Sequence, residues 1–291
     1  LHDADDAFAL ALAFRCPELE ILGISATYGN TNLQRALKRV QRLAELGGFP
    51  ASKVHAGSSS PEDRTARTAA VDALIQVLEG RAEPLTYLAL GPLTHLAALT
   101  HLRPDLVRHI EQVIFVGGRT PGTVLKIGTA CPYVFHDANF EKDPLAVQSV
   151  LASGIPITLL PIELSEGLRL KPGHLRTVGR MGGVMGAWLA RNGWLWMKQW
   201  QWLVWLDGAP VFDVLAVLAA AQPEAVRCRN SRLEIVQNTP EAIPQLHAVA
   251  EETSQHALAF SVHHLALGWM LDRLTMAPPD AQGLGVFKDQ S

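Results

Sequence analysis

Short apolar runs alternating with helix-length amphipathic segments fill the first half of the chain, and few architectures accommodate that alternation. Strand-like runs fall at residues 21–27, 53–57, 85–90, 112–116 and 157–160. Between them, helical patterns cover residues 7–14, 32–46, 71–79, a stretch beginning at Thr94, and 144–152. Strands alternating with helices of this length predict an α/β fold, a mostly parallel central sheet flanked by helices. In such sheets ligands bind beyond the carboxyl ends of the strands. The turns at Asn30, Thr94, Gly117 and near Glu163 are the expected ends.

The opening segment combines this pattern with charge. Asp3, Asp5 and Asp6 run into Ala7, Leu10, Ala11 and Phe14, which recur on one helical face until Pro17. Residues 21–27 read as a strand buried on both faces. Three carboxylates at a helix start repel one another, and the helix dipole offsets only about 0.3–1 kcal/mol per group. A hard divalent cation would offset more. Aspartate is also common at N-caps and first turns, so either reading accounts for the cluster.

The later chain predicts a more helical portion. Residues 167–207 hold six of the seven tryptophans, at 188, 194, 196, 200, 202 and 205. They read as core or interface aromatics, with a stacking platform as the alternative. An apolar helix is expected over 211–221 with Asp213 in its first turn, a final amphipathic helix over 258–274, and a loose tail from Met276 to residue 291. The expected organisation is a single domain over 1–291, with an N-terminal strand expected ahead of Leu1.

Composition excludes several classes. A net charge of −3 gives no basic field for nucleic acid. The longest apolar runs are too short to cross a bilayer, so no membrane partner is expected. The three cysteines, Cys16, Cys131 and Cys228, form neither a zinc pattern nor a disulfide framework, which favours a reducing, cytoplasmic setting. Dinucleotide, Walker and nucleophile-elbow motifs are absent.

The order of local motifs goes further. D-D-A-F-A-L-A-L-A at 5–13 and P-E-L-E-I-L-G-I-S-A-T-Y-G-N at 17–30 are followed by V-H-A-G at 54–57, L-A-L-G-P-L-T-H-L-A at 88–97 and V-G-G at 116–118. D-A-N-F-E-K-D-P at 137–144, S-G-I-P-I-T-L-L-P at 153–161 and G-A-P-V-F-D-V-L-A-V at 208–217 complete the series. Together they resemble the calcium-dependent, inosine-uridine preferring nucleoside hydrolases, which cleave the N-glycosidic bond of ribonucleosides. The similarity covers roughly residues 1–220.

The resemblance implies a Ca²⁺ held by Asp6, the backbone carbonyl of Thr94, and Asp213. It implies ribose contacts from Asp5, Asn30, Asp137, Asn139 and Asp213, with Asp137 standing where the family has glutamate. The catalytic carboxylates would be Asp5 and Asp6, with Asp3 a candidate substitute for the family's first aspartate, whose place here is Leu1. It further implies a nucleoside substrate and a homodimer or homotetramer. Phe212 stands where purine-preferring members carry a proton-donating histidine, and Thr129 stands near a family asparagine. Two functions follow: hydrolysis of ribonucleosides by a calcium-activated water, or non-catalytic binding of a nucleoside or ribose on the same fold.

Overall fold

The structure, a computed structural model, describes residues 4–121 and 136–276. In chain order the elements are α1 (Asp5–Ala13), β1 (Ile24–Ala26), α2 (Leu33–Gly47), β2 (Val54–Ala56), α3 (Ala69–Glu79), β3 (Leu85–Ala89) and α4 (Thr94–Leu102). There follow β4 (Ile110–Val116), α5 (Ala138–Glu141), α6 (Pro144–Ala152), β5 (Ile157–Leu160), β6 (Arg169–Leu170), α7 (Pro172–Met181) and α8 (Gly183–Leu203). The chain closes with β7 (Ala209–Pro210), α9 (Val214–Ala221), β8 (Val226–Val236), β9 (Gln245–Ala250), β10 (Ala257–Val262) and α10 (Ala266–Thr275).

The central sheet has six strands in the order β3-β4-β5-β10-β8-β9. β3, β4, β5 and β10 run parallel, and β8 and β9 add antiparallel strands at one side. Alternation along β4 shows why its second half, residues 113–116, is apolar at every position. Val113 and Phe115 join the core under α3, α4 and α6, while Ile114 and Val116 join the core shared with α1, α8 and α9. A strand buried on both faces needs apolar side chains at every position. The mainly parallel sheet covered by helices is the architecture expected.

Two expectations are corrected. The carboxyl-terminal part is not mainly helical: residues 226–262 form β8, β9 and β10, and the helix expected over 258–274 is a strand, Ala257–Val262, followed by α10. β8 pairs with β9 in register from Ser231↔Ala250 to Val236↔Gln245, and the exposure of residues 227–230, four in succession, hides the strand period. In 258–262 a short apolar run fits strand and buried helix alike.

The second correction concerns residues 21–27. β1 spans only Ile24–Ala26, and Ser25 is exposed. β1 pairs in parallel with β2 alone, through Ile24↔Val54 to Ala26↔Ala56, apart from the six-stranded sheet. A cleft of about 1690 Å³ runs along β1 and the edge strand β3, lined by residues 19–31 and 84–92 among others. Residues of β1 facing that cleft lack the packing that burial on both faces would need.

Candidate active site

α1 and α9 pack against each other in one core, where Phe8 and Leu12 meet Val214, Leu215 and Leu218. That packing brings the two helix starts together. Asp5 and Asp6 occupy the first turn of α1, and Asp213 is the residue immediately before α9. One carboxylate oxygen from each of the three lies within 4.8 Å of the others. Asp5 and Asp213 are buried, at 3% and 5% exposure, whereas Asp6 is exposed. Two positive helix ends point at this cluster and favour the ionised carboxylates. At an effective dielectric of about 20, each pair of charges at this spacing still repels by about 3.5 kcal/mol. Three hard oxygen donors on one side of an open cleft are the donor chemistry of a hard divalent cation. Of the two readings of the acidic start, this geometry fits a cation site.

The other residues expected at the site are placed as follows. Asn30 follows β1 and lines the cleft. Asn139, in α5, also lines it, and its amide donates to the carbonyls of Val116 (2.9 Å) and Leu90 (3.3 Å). Both amide protons are thereby used, so towards a ligand Asn139 offers its carbonyl oxygen, an acceptor for a hydroxyl. Asp137 caps α5: one oxygen accepts from the backbone N–H of Phe140 (3.1 Å), the other from that of Gly118 (2.5 Å). Burial pushes its carboxyl up to about 6, against the two N–H donors that favour ionisation. Gly118 is required here, with φ +75° and a site where a Cβ would lie 2.3 Å from Leu159. Asp3 and Thr129 lie outside the described residues.

Thr94 has another set of contacts. It is fully buried at the first position of α4. Its hydroxyl donates to Asp143 Oδ2 (2.7 Å) and lies 3.0 Å from the Tyr28 hydroxyl. Asp143 Oδ1 in turn accepts from Arg64 (2.8 Å) and from the N–H of Ala146 (3.0 Å). Next to Thr94, His95 is buried and its Nε2 accepts the N–H of Ser58 at 2.6 Å. Burial pushes its pKa down to about 4, so the ring is neutral at physiological pH. Tyr28, Arg64, His95 and Asp143 escaped sequence reading. Only the T-H and D-P dipeptides at 94–95 and 143–144 hinted that these positions matter.

The remaining wall of the cleft is aromatic. Trp188, Trp196 and Trp200 of α8 line it together with Phe212, which precedes Asp213 in the chain. Trp200 and Phe212 sit 5.9 Å apart with their rings tilted at 54°. The hydrocarbon ring of Phe212 has no proton to give. Trp194, Trp202 and Trp205 are instead exposed on the outside, with Lys198 lying over the rings of Trp194 (4.9 Å) and Trp202 (5.7 Å). Both readings of the tryptophans thus find members.

Residues 2–264 match the family profile described as "Inosine-uridine preferring nucleoside hydrolase". The chain belongs to that family. Nucleoside hydrolases are metal-dependent, and the Asp5, Asp6 and Asp213 cluster could hold a metal ion. The uridine nucleosidase 1 of Arabidopsis thaliana is 29% identical over 205 residues, 62% of this chain. The chain spans 59% of that relative's length. A pyrimidine-specific ribonucleoside hydrolase of Klebsiella pneumoniae is 27% identical over 246 residues, 76% of this chain and 77% of the relative. Among solved structures, a purine-preferring ribonucleoside hydrolase from Gardnerella vaginalis superposes with a TM-score of 0.78 at 22% identity, over 94% of this chain and 95% of the other. That likeness establishes the nucleoside hydrolase fold. Among the described residues, no helix is long and apolar enough to cross a membrane.

Proposed function

We propose that this nucleoside hydrolase cleaves the N-glycosidic bond of pyrimidine ribonucleosides, releasing the base and ribose, with calcium at Asp5, Asp6 and Asp213. The convergence of these three carboxylates in the lining of the cleft carries the proposal. The pyrimidine preference draws on the curated relatives, named as a uridine nucleosidase and a pyrimidine-specific hydrolase. Calcium, when bound, supplies a hard Lewis acid that eases deprotonation of the attacking water. Asp5, Asp6 and Asp213 hold negative charge where the sugar develops oxocarbenium character, and so favour the transition state over the ground state. Asn139 accepts a ribose hydroxyl with its carbonyl oxygen, and Asp137 and Asn30 border the same seat.

The base lies against Trp200 and Phe212, which shield it from water. With phenylalanine at 212, departure relies on a base that spreads its negative charge over ring carbonyls, as a pyrimidine lactam does. The protein works as a homodimer or homotetramer in the cytoplasm, which light scattering and cell fractionation would check. The central test incubates the protein with a nucleoside panel and measures reducing sugar with calcium and with chelator. Sugar release from uridine that chelator abolishes is the expected result. No release from any nucleoside, despite nucleoside-dependent thermal stabilisation, would leave a binding protein in place of an enzyme.

A further inference from the structure

The buried contacts of Thr94 join four segments, of which the one carrying Tyr28 lines the cleft. Tyr28 belongs to the turn after β1, Arg64 to the loop after β2, Thr94 is the first residue of α4, and Asp143 caps α6 beyond β4. Hydrogen counting sets the order of donors. The Asp143 carboxylate only accepts, from Arg64, from the N–H of Ala146 and from Thr94. The single proton of Thr94 is therefore spent on Asp143, and the Tyr28 hydroxyl must donate to Thr94 across 3.0 Å.

The backbone of the same turn is tied in parallel. Tyr28 N–H donates to Ser58 O (3.0 Å) and Gly29 N–H to Thr31 O (3.0 Å), so the phenol anchors the turn that carries Asn30 to the cleft. We propose that Thr94, relaying between Tyr28 and Asp143, is a positioning residue that holds the 28–31 turn, and with it Asn30, in place at the cleft. Its catalytic consequence rests on the proposed nucleoside hydrolysis; its structural consequence does not. Misplacing a substrate-facing group by an ångström costs about 100-fold in rate.

The test compares Thr94→Val, which keeps the shape and removes the hydroxyl, with Thr94→Ser, which keeps the hydroxyl. Tyr28→Phe removes one outer oxygen and serves where the valine variant does not fold. Amide hydrogen exchange at residues 28–31 and uridine hydrolysis are read on each full-length chain. Thr94→Val and Tyr28→Phe are expected to speed exchange at the Tyr28 and Gly29 amides by about tenfold. They should also lower kcat by about 10- to 100-fold with KM within about threefold, and Thr94→Ser should restore both. Wild-type exchange at residues 28–31 in Tyr28→Phe and in the folded valine variant overturns the proposal, whatever the kinetics. If the unmodified protein releases no sugar, the hydrolase reading fails on its own, and the exchange rates still decide for or against Thr94.

Discussion

Two parts of the cleft lining differ in kind. One is made of carboxylates at two helix starts, Asp5 and Asp6 on α1 and Asp213 before α9. The other, which adjoins it through Phe212, is the ring surface of Trp188, Trp196, Trp200 and Phe212. Under the proposed function the charged part stabilises charge that develops only as the bond breaks. The aromatic part then gives the same contact area before and after. Losses at the first should therefore appear in kcat, and losses at the second in KM.

The largest effect expected is at Asp213. Asp213→Asn keeps the size and removes a charge, and should lower sugar release by about 10³-fold while abolishing calcium-dependent thermal stabilisation. A variant with near-normal kcat would break the division between the two parts. Phe212→Leu, by contrast, should raise the KM for uridine about tenfold with kcat within about threefold, since stacking on a base is worth about 1–3 kcal/mol. Phe212→His sharpens the point: a proton donor beside the base should raise inosine hydrolysis relative to uridine by at least about tenfold.

A smaller effect pits two buried titratable groups against each other. Asp137 is raised from 3.8 to about 6, so the folded protein holds a proton that the unfolded chain releases, and stability falls as pH rises through that window. His95 is lowered from 6.5 to about 4, so its contribution is present above about 6.5 and is lost as pH falls towards 4. Each is worth roughly 3 kcal/mol, with opposite sign. Thermal unfolding across pH 3.5–7 should therefore vary little in the parent. Asp137→Asn should leave a rising limb, and His95→Gln a falling one. Trp202→Ser, on the exposed face of α8, should change kcat and KM by less than about twofold, separating the outer tryptophans from those lining the cleft.

Much of the charged part was legible in the sequence because its signals are local. The apolar period after Asp5 and Asp6 and the helix after Asp213 each place a carboxylate at a helix start, and the family motifs supplied their meeting. β3, β4 and β5 were legible because each keeps a short apolar run, residues 113–116 of β4 being buried on both faces and β3, at the sheet edge, only half-buried. β8 was not, since four successive residues, 227–230, are exposed on both faces and leave no apolar/polar alternation to read. The Tyr28–Thr94–Asp143–Arg64 contacts were also illegible. Bonded partners among them are 49 to 79 residues apart along the chain, and each side chain has an ordinary local explanation as strand end, helix start, cap or loop charge.

Asn139 carries one consequence beyond its own contacts. By bridging Leu90 O and Val116 O it staples the tips of two neighbouring strands, so the berth proposed for the pentose moves with the rigid slab beneath it and not with the rim. Under the same proposal the heterocycle meets a separate helix. Exchanging that helix between homologues would alter which leaving group is accepted while the sugar's seat stays put.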